Sequence, residues 1–135
     1  MSSILNISVS ILMLMQGGSD KYAIPADEII SGNDPVVCAA YNEVMGLLRK
    51  DLEPRASKMN LTRSQQWTKY EIKQRDGDGK SATKDILAQV ALFVGKLEKA
   101  RAGEEKQFDE FAAFGPKCFK LEIANRRELA AAAGE

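Results

Sequence analysis

SATKDILAQVALFVGKLEKARA, residues 81–102, is the stretch whose spacing decides the fold class. Ile86, Val90, Phe93, Val94 and Leu97 fall on one stripe of a 3.6-residue helix. Asp85 stands near its start and Lys96, Lys99 and Arg101 near its end, which matches the helix dipole. Ser81 or Thr83 is suited to cap the first turn, and Gly103 to end the helix in a left-handed conformation. Leu92 lies nearly opposite the stripe and shares its side with Ala88 and Gly95. A face of small residues with one leucine predicts close packing against a second helix. The expectation is therefore a helix covered on two sides by its own bundle, with a partner-binding face as the alternative.

Outward from this helix the pattern stays helical. Asn33-Asp34-Pro35 opens a helix expected to run to about Leu52, with Asp34 as its cap. Its stripe is Val37, Tyr41, Val44, Leu48 and Leu52, flanked by Cys38 and Met45, and Pro54 ends it. Arg55 to Met59 reads as a polar connection. Asn60 to Arg75 reads as a further helix, with Thr62 and Gln65 as a capping box, polar enough to lie on the surface. On the C-terminal side, Glu104 to Phe114 reads as a helix stopped by Gly115-Pro116. Phe119, Leu121 and Ile123 alternate as in a strand, yet their surroundings are rich in helix formers, so helix is preferred. The alanine-rich end is expected to fray.

Two N-terminal features stand apart. Pro25 to Ser31 reads as a single helical turn closed by Gly32. Residues 1–16, MSSILNISVSILMLMQ, form the most apolar stretch, with Leu5, Ile7, Val9 and Ile11 alternating against polar residues as in a half-buried strand. This stretch is too short to span a bilayer as a helix, and its start lacks the basic residues of a signal peptide. It reads as a core segment or as an arm that inserts into a partner. Gln16 to Asp20 is a turn or short linker. The organisation expected is an apolar arm or strand over 1–16 and a single helical domain over 17–135.

Composition narrows the function classes. The chain of 135 residues balances 19 basic against 19 acidic residues, which argues against a generic nucleic-acid binder. Residues 1–54 carry three basic and seven acidic residues, a net of −4, and residues 55–80 carry seven basic and three acidic, a net of +4. The absence of histidine removes Ser-His and Cys-His catalysis and His-ligated zinc. Cys38 and Cys118 lie among apolar residues, so buried free thiols are the default reading. A single disulfide is the alternative if the protein is exported. A cytoplasmic location is favoured.

Few motifs carry chemistry. Gln74 to Asp85 resembles the middle of an EF-hand calcium loop, with Asp76, Asp78 and Gly79 at its third, fifth and sixth positions and Asp85 at its twelfth. The loop departs from that pattern at Gln74 and Ser81, and a solvated Asp-Gly turn is the preferred reading. Gly79-Lys80-Ser81 matches only the end of a phosphate-binding loop, and the first glycine of that motif is absent. Arg55, Lys58, Arg63, Lys69, Lys73 and Arg75 surround Trp67 and Tyr70. Such a segment holds phosphate and stacks bases, or docks an acidic protein surface, or is a solvated face whose tryptophan packs inward.

These observations together predict a mainly α protein: a small bundle of four to five helices with an N-terminal strand or apolar arm. The function expected is a non-enzymatic interaction or assembly factor without a cofactor. Its partner is another protein or a second copy of itself, met through Leu5, Ile7, Val9, Ile11, Arg63, Trp67, Lys69 and Tyr70. A divalent-ion-responsive protein using Asp76, Asp78 and Asp85, or a nucleic-acid binder through the basic segment, is the alternative.

Overall fold

The computed structural model describes residues 28–134. Every regular element among them is an α-helix: α1 (Asp34–Arg49), α2 (Pro54–Gln74), α3 (Gly79–Arg101), α4 (Glu105–Ala112), α5 (Phe114–Ala124) and α6 (Arg126–Ala132). The protein is mainly α. The expected arm over 1–16 and the linker after it lie outside the described residues, as do Pro25 and its two neighbours. Glu28 to Ser31 forms no helical turn.

The bundle is built around α1, not around the stretch that announces the fold. Ten of the sixteen residues of α1 are buried, and they point in every direction around its axis. It runs under α2, α3 and α5. Its first turn carries Pro35, which needs no hydrogen-bonded N–H there. The Asp34 carboxylate accepts from the Ser31 N–H at 3.1 Å and pairs with Lys117 of α5 at 3.0 Å. The helix ends at Arg49, one turn earlier than the apolar stripe predicts, so Leu48 and Leu52 face solvent.

Pro54 not only follows α1 but also starts α2, because proline suits a first helical turn as well as it ends the preceding one. The expected polar connection over Arg55 to Met59 is therefore helix. α2 lies at the surface as expected, yet its inner face is polar and buried. Ser57, Asn60, Ser64, Trp67 and Glu71 are buried at alternating spacings of three and four residues, the seam of a closely packed helix pair. The Ser57 hydroxyl donates to the Gly46 carbonyl at 2.6 Å and the Ser64 hydroxyl to that of Ala39 at 2.8 Å. Small residues bring the backbones close. A Cβ on Gly46 would stand 2.7 Å from Leu61 Cδ2 and 3.3 Å from the Ser57 carbonyl oxygen.

The turn between α2 and α3 is a pair of helix caps. The Gly77 N–H returns to the Ile72 carbonyl at 2.8 Å and the Asp76 N–H to that of Lys73 at 3.2 Å, with Asp76 and Gly77 both at positive φ. Asp78 then accepts from the Ser81 N–H at 3.0 Å, so α3 starts at Gly79 with Asp78 as its cap rather than Ser81 or Thr83. Gly103 closes α3 as expected, at φ +115.

Only Ala82, Ile86 and Phe93 of α3 are buried, with Val90 and Leu97 packed against the core beside them. The second covered face does not form among the described residues: Leu92 is 64% exposed, Leu87 61%, and the space beside Gly95 is open. Phe93 meets Phe111 edge-on at 5.1 Å and Phe114 at 5.3 Å, and Phe111 lies 5.0 Å from Tyr41. This aromatic cluster ties α3, α4 and α5 to α1.

Gly115-Pro116 falls inside the first turn of α5 and does not terminate a helix. The break comes one residue before α5, at Ala113. Asn125 separates α5 from α6, with its side chain donating to the carbonyls of Leu121 at 2.9 Å and Glu28 at 3.2 Å. The alanine-rich end holds its helix to Ala132 and packs on α2. Cys38 and Cys118 are not free thiols. They form a disulfide that joins α1 to α5 with 5.6 Å between Cα atoms, across 80 residues of sequence.

Candidate functional site

A cleft of about 330 Å³ opens where α2 and α5 lie over the end of α1. α1 contributes Tyr41, Asn42 and Arg49; α2 contributes Ala56, Met59, Asn60 and Arg63; α5 contributes Gly115, Cys118, Phe119 and Glu122. The α1–α2 seam fixes the first two groups, and the disulfide fixes α5 at Cys118 one helical turn before Glu122.

Glu122 is the anchor of the wall. Its side chain is 12% exposed, and Arg63 Nε pairs with its Oε1 at 3.0 Å. The Trp67 indole N–H donates to Oε2 at 3.2 Å, and Asn42 Nδ2 approaches the same oxygen at 3.4 Å. The network continues behind it. Asn42 also donates to the Cys38 carbonyl at 2.8 Å, Asn60 Nδ2 donates to Asn42 Oδ1 at 2.9 Å, and Arg49 donates to Asn60 Oδ1 at 3.0 Å. Burial pushes the Glu122 carboxyl above the usual carboxylate range, against the Arg63 charge and then the Trp67 and Asn42 bonds, which pull it down. Glu53 also lines the cleft, 3.9 Å from Arg49 Nε. Both oxygens of Glu122 thus tie α5 to α1 and α2.

The residues expected at a partner surface separate. Trp67 is fully buried, with its indole N–H on Glu122, and it meets Tyr70 edge-on at 6.3 Å. Tyr70 is half-buried against the core, and burial pushes its phenol up. Arg63 stands at the cleft, its guanidinium 5.9 Å from the Phe119 ring centroid. Lys69 is exposed on the other flank of α2, its Nζ 3.5 Å from the Ala133 carbonyl. Leu5, Ile7, Val9 and Ile11 lie outside the described residues.

The carboxylates of the calcium-loop resemblance are engaged elsewhere. Asp78 caps α3, and Asp85 pairs with Arg75 at 2.8 Å. Arg75 also pairs with Glu71 at 2.9 Å, and Asp76 serves as the left-handed residue of the α2 cap. Among the described residues no three acidic or cysteine side chains gather as a metal ion requires. Sequence reasoning missed Tyr41 as a cleft residue, and with it Asn42, Asn60, Gly115 and Glu122. The readable signal was the three-four spacing of Ser57, Asn60, Ser64, Trp67 and Glu71, which an apolar count passes over.

No helix among the described residues is long and apolar enough to cross a membrane. Comparison of the chain with protein-family models, curated proteins and solved structures finds no match in any of the three.

Proposed function

We propose that this protein is a non-enzymatic interaction factor that docks an acidic surface of another protein along the solvent face of α2. One observation carries the reading. Arg55, Lys58, Lys69 and Lys73 are all exposed on α2, while the one acidic residue of the helix, Glu71, is buried and held by Arg75. None of the four exposed cations meets a carboxylate among the described residues. An unneutralised ridge of this kind steers an acidic partner and fixes its register. Nucleic acid is the weaker reading, because the aromatic rings that would stack bases are buried or packed against the core. The apolar residues Leu5, Ile7, Val9 and Ile11 are the second contact in this proposal. The disulfide supports an oxidising compartment as the place of work rather than the cytoplasm.

The test is binding of the full chain to poly-L-glutamate and to a single-stranded oligonucleotide of matched charge at several salt concentrations. Poly-L-glutamate is expected to bind more tightly, with affinity falling as salt rises. The double variant Lys69→Glu, Lys73→Glu is expected to abolish it. Tighter oligonucleotide binding, or a double variant that binds normally, would overturn the proposal.

A further inference from the structure

The cleft beside Glu122 has hydrogen-bonding capacity left over, and all of what its buried wall leaves is of one kind. Glu122 spends both oxygens on Arg63, Trp67 and Asn42. The Asn42 and Asn60 amides spend theirs on each other, on the Cys38 carbonyl and on Arg49. Tyr41 does not. Its residue is 6% exposed, it lines the cleft, and its hydroxyl makes no hydrogen bond to any described residue. Its oxygen keeps contact with solvent, so the cleft presents it to a ligand. Burial, opposed by Arg49 and helped by Glu122, pushes that phenol up to about 12, so it remains a neutral donor.

Two more features converge on the same spot. The hydroxyl sits at the cleft wall formed by Gly115, so close that a Cβ there would stand 2.6 Å from the Tyr41 oxygen. Arg63 is tied to Glu122 through Nε, and no other acceptor among the described residues takes its remaining N–H groups. Met59, Ala56 and Phe119 supply an apolar side to the cleft. With Glu53 at the rim turned to Arg49, the Tyr41 hydroxyl and the spare Arg63 N–H groups, beside an apolar wall, suit a ligand that brings an acceptor and a short apolar stem.

We propose that the cleft seats a carboxylate between the Tyr41 hydroxyl and the Arg63 guanidinium, with its carbon stem against Met59 and Phe119. The carboxylate is a side chain of the acidic partner, so this inference deepens the reading of α2 as a docking helix and rests on it for the ligand's source. A guanidinium presents paired N–H groups to a carboxylate, and the hydroxyl adds a third donor. Arg63 thereby bridges two carboxylates, Glu122 from inside and the ligand from outside.

The test titrates the full-length, oxidised protein with 3-phenylpropanoate and with its neutral amide, followed by amide and Arg63 Nε–H chemical shifts. The acid is expected to bind at least about tenfold more tightly than the amide, a difference of about 1.4 kcal/mol. Tyr41→Phe keeps the ring in the core and is expected to weaken the acid about tenfold. Arg63→Gln is expected to abolish it. Lys69→Glu is expected to leave the acid unaffected while weakening poly-L-glutamate. Equal binding of acid and amide, or a Tyr41→Phe protein that binds normally, would sink the cleft inference alone. Normal acid binding together with no affinity for poly-L-glutamate would sink the docking helix and leave the cleft site standing.

Discussion

α1 and α3 are both long helices, and they hold opposite positions in the molecule. α3 has the clean apolar stripe, the matched terminal charges and the glycine stop, yet only three of its 23 residues are buried. α1 has a stripe too, through Val37, Tyr41, Val44 and Leu48, but its ten buried residues run all round the axis and include alanines, a glycine and an asparagine. The difference follows from what amphipathicity measures. A helix with one apolar face and one polar face belongs at a boundary between core and water. A helix surrounded by neighbours also buries small and polar residues off its stripe, and an apolar count does not reveal them. The clearest helix in a sequence is therefore the wrong one to take as the centre of a small bundle.

The largest effect should come from the covalent anchor of α1. Replacing both Cys38 and Cys118 by alanine removes a cross-link across 80 residues, worth about 4–5 kcal/mol in the loop-entropy description. Urea unfolding of the double variant should show that loss, and so should the reduced wild-type chain. A loss under about 1 kcal/mol would mean that α1 is held at the centre by packing alone.

Phe93→Ala comes next and tests the inner face of α3. Its ring touches Phe111 and Phe114. Truncation is expected to cost about 3–4 kcal/mol in burial and cavity formation. An equal loss from Phe93→Ala and Leu92→Ala would erase the contrast between the two faces of the helix.

Gly46→Ala sharpens the account of α1 itself. The added methyl meets Leu61 and the Ser57 backbone within one seam, so a cost of about 2 kcal/mol is expected. At an exposed helix position the same change should stabilise, by up to about 1 kcal/mol. Thermal melts of Gly46→Ala beside Gly95→Ala make the pair, since the space beside Gly95 is open. Gly95→Ala destabilising as strongly as Gly46→Ala would show that the outer face of α3 is covered after all.

The smallest effect is expected at Leu92→Ala, within about 0.5 kcal/mol of wild type. Its side chain loses little burial because it is mostly exposed. Chemical denaturation resolves that margin, and a loss above about 1 kcal/mol would point to a partner surface on α3 within the folded chain.

Local chemistry was read well where it acts locally. Gly103 ends α3, Pro54 separates α1 from α2, and the charge contrast between the acidic N-terminal part and the basic middle places a cationic face on α2. Pro54 and Pro116 were treated as stops, although a proline in a first turn starts a helix equally well. The Asp-Gly turn preferred for residues 76–79 is a pair of helix caps, and Asp85 pairs with Arg75. Of the cleft's lining only Arg63 is singled out by the sequence, as part of a basic partner-binding segment, because charge shows in composition while a buried hydrogen-bond network does not.

The sequence by itself determined that this chain is helical, where α3 ends, that histidine chemistry is absent and that α2 carries a basic ridge. Each of these depends on residue type or on neighbours a few positions away. Only the tertiary structure decided that α1 is the centre, that Cys38 meets Cys118, that the polar stripe of α2 is a seam, and that Glu122, Arg63 and Tyr41 share one cleft. Those facts depend on contacts between residues far apart in the chain. Their partners are chosen by shape and by hydrogen bonds that must be made when polar groups are buried, and neither leaves a period in the sequence.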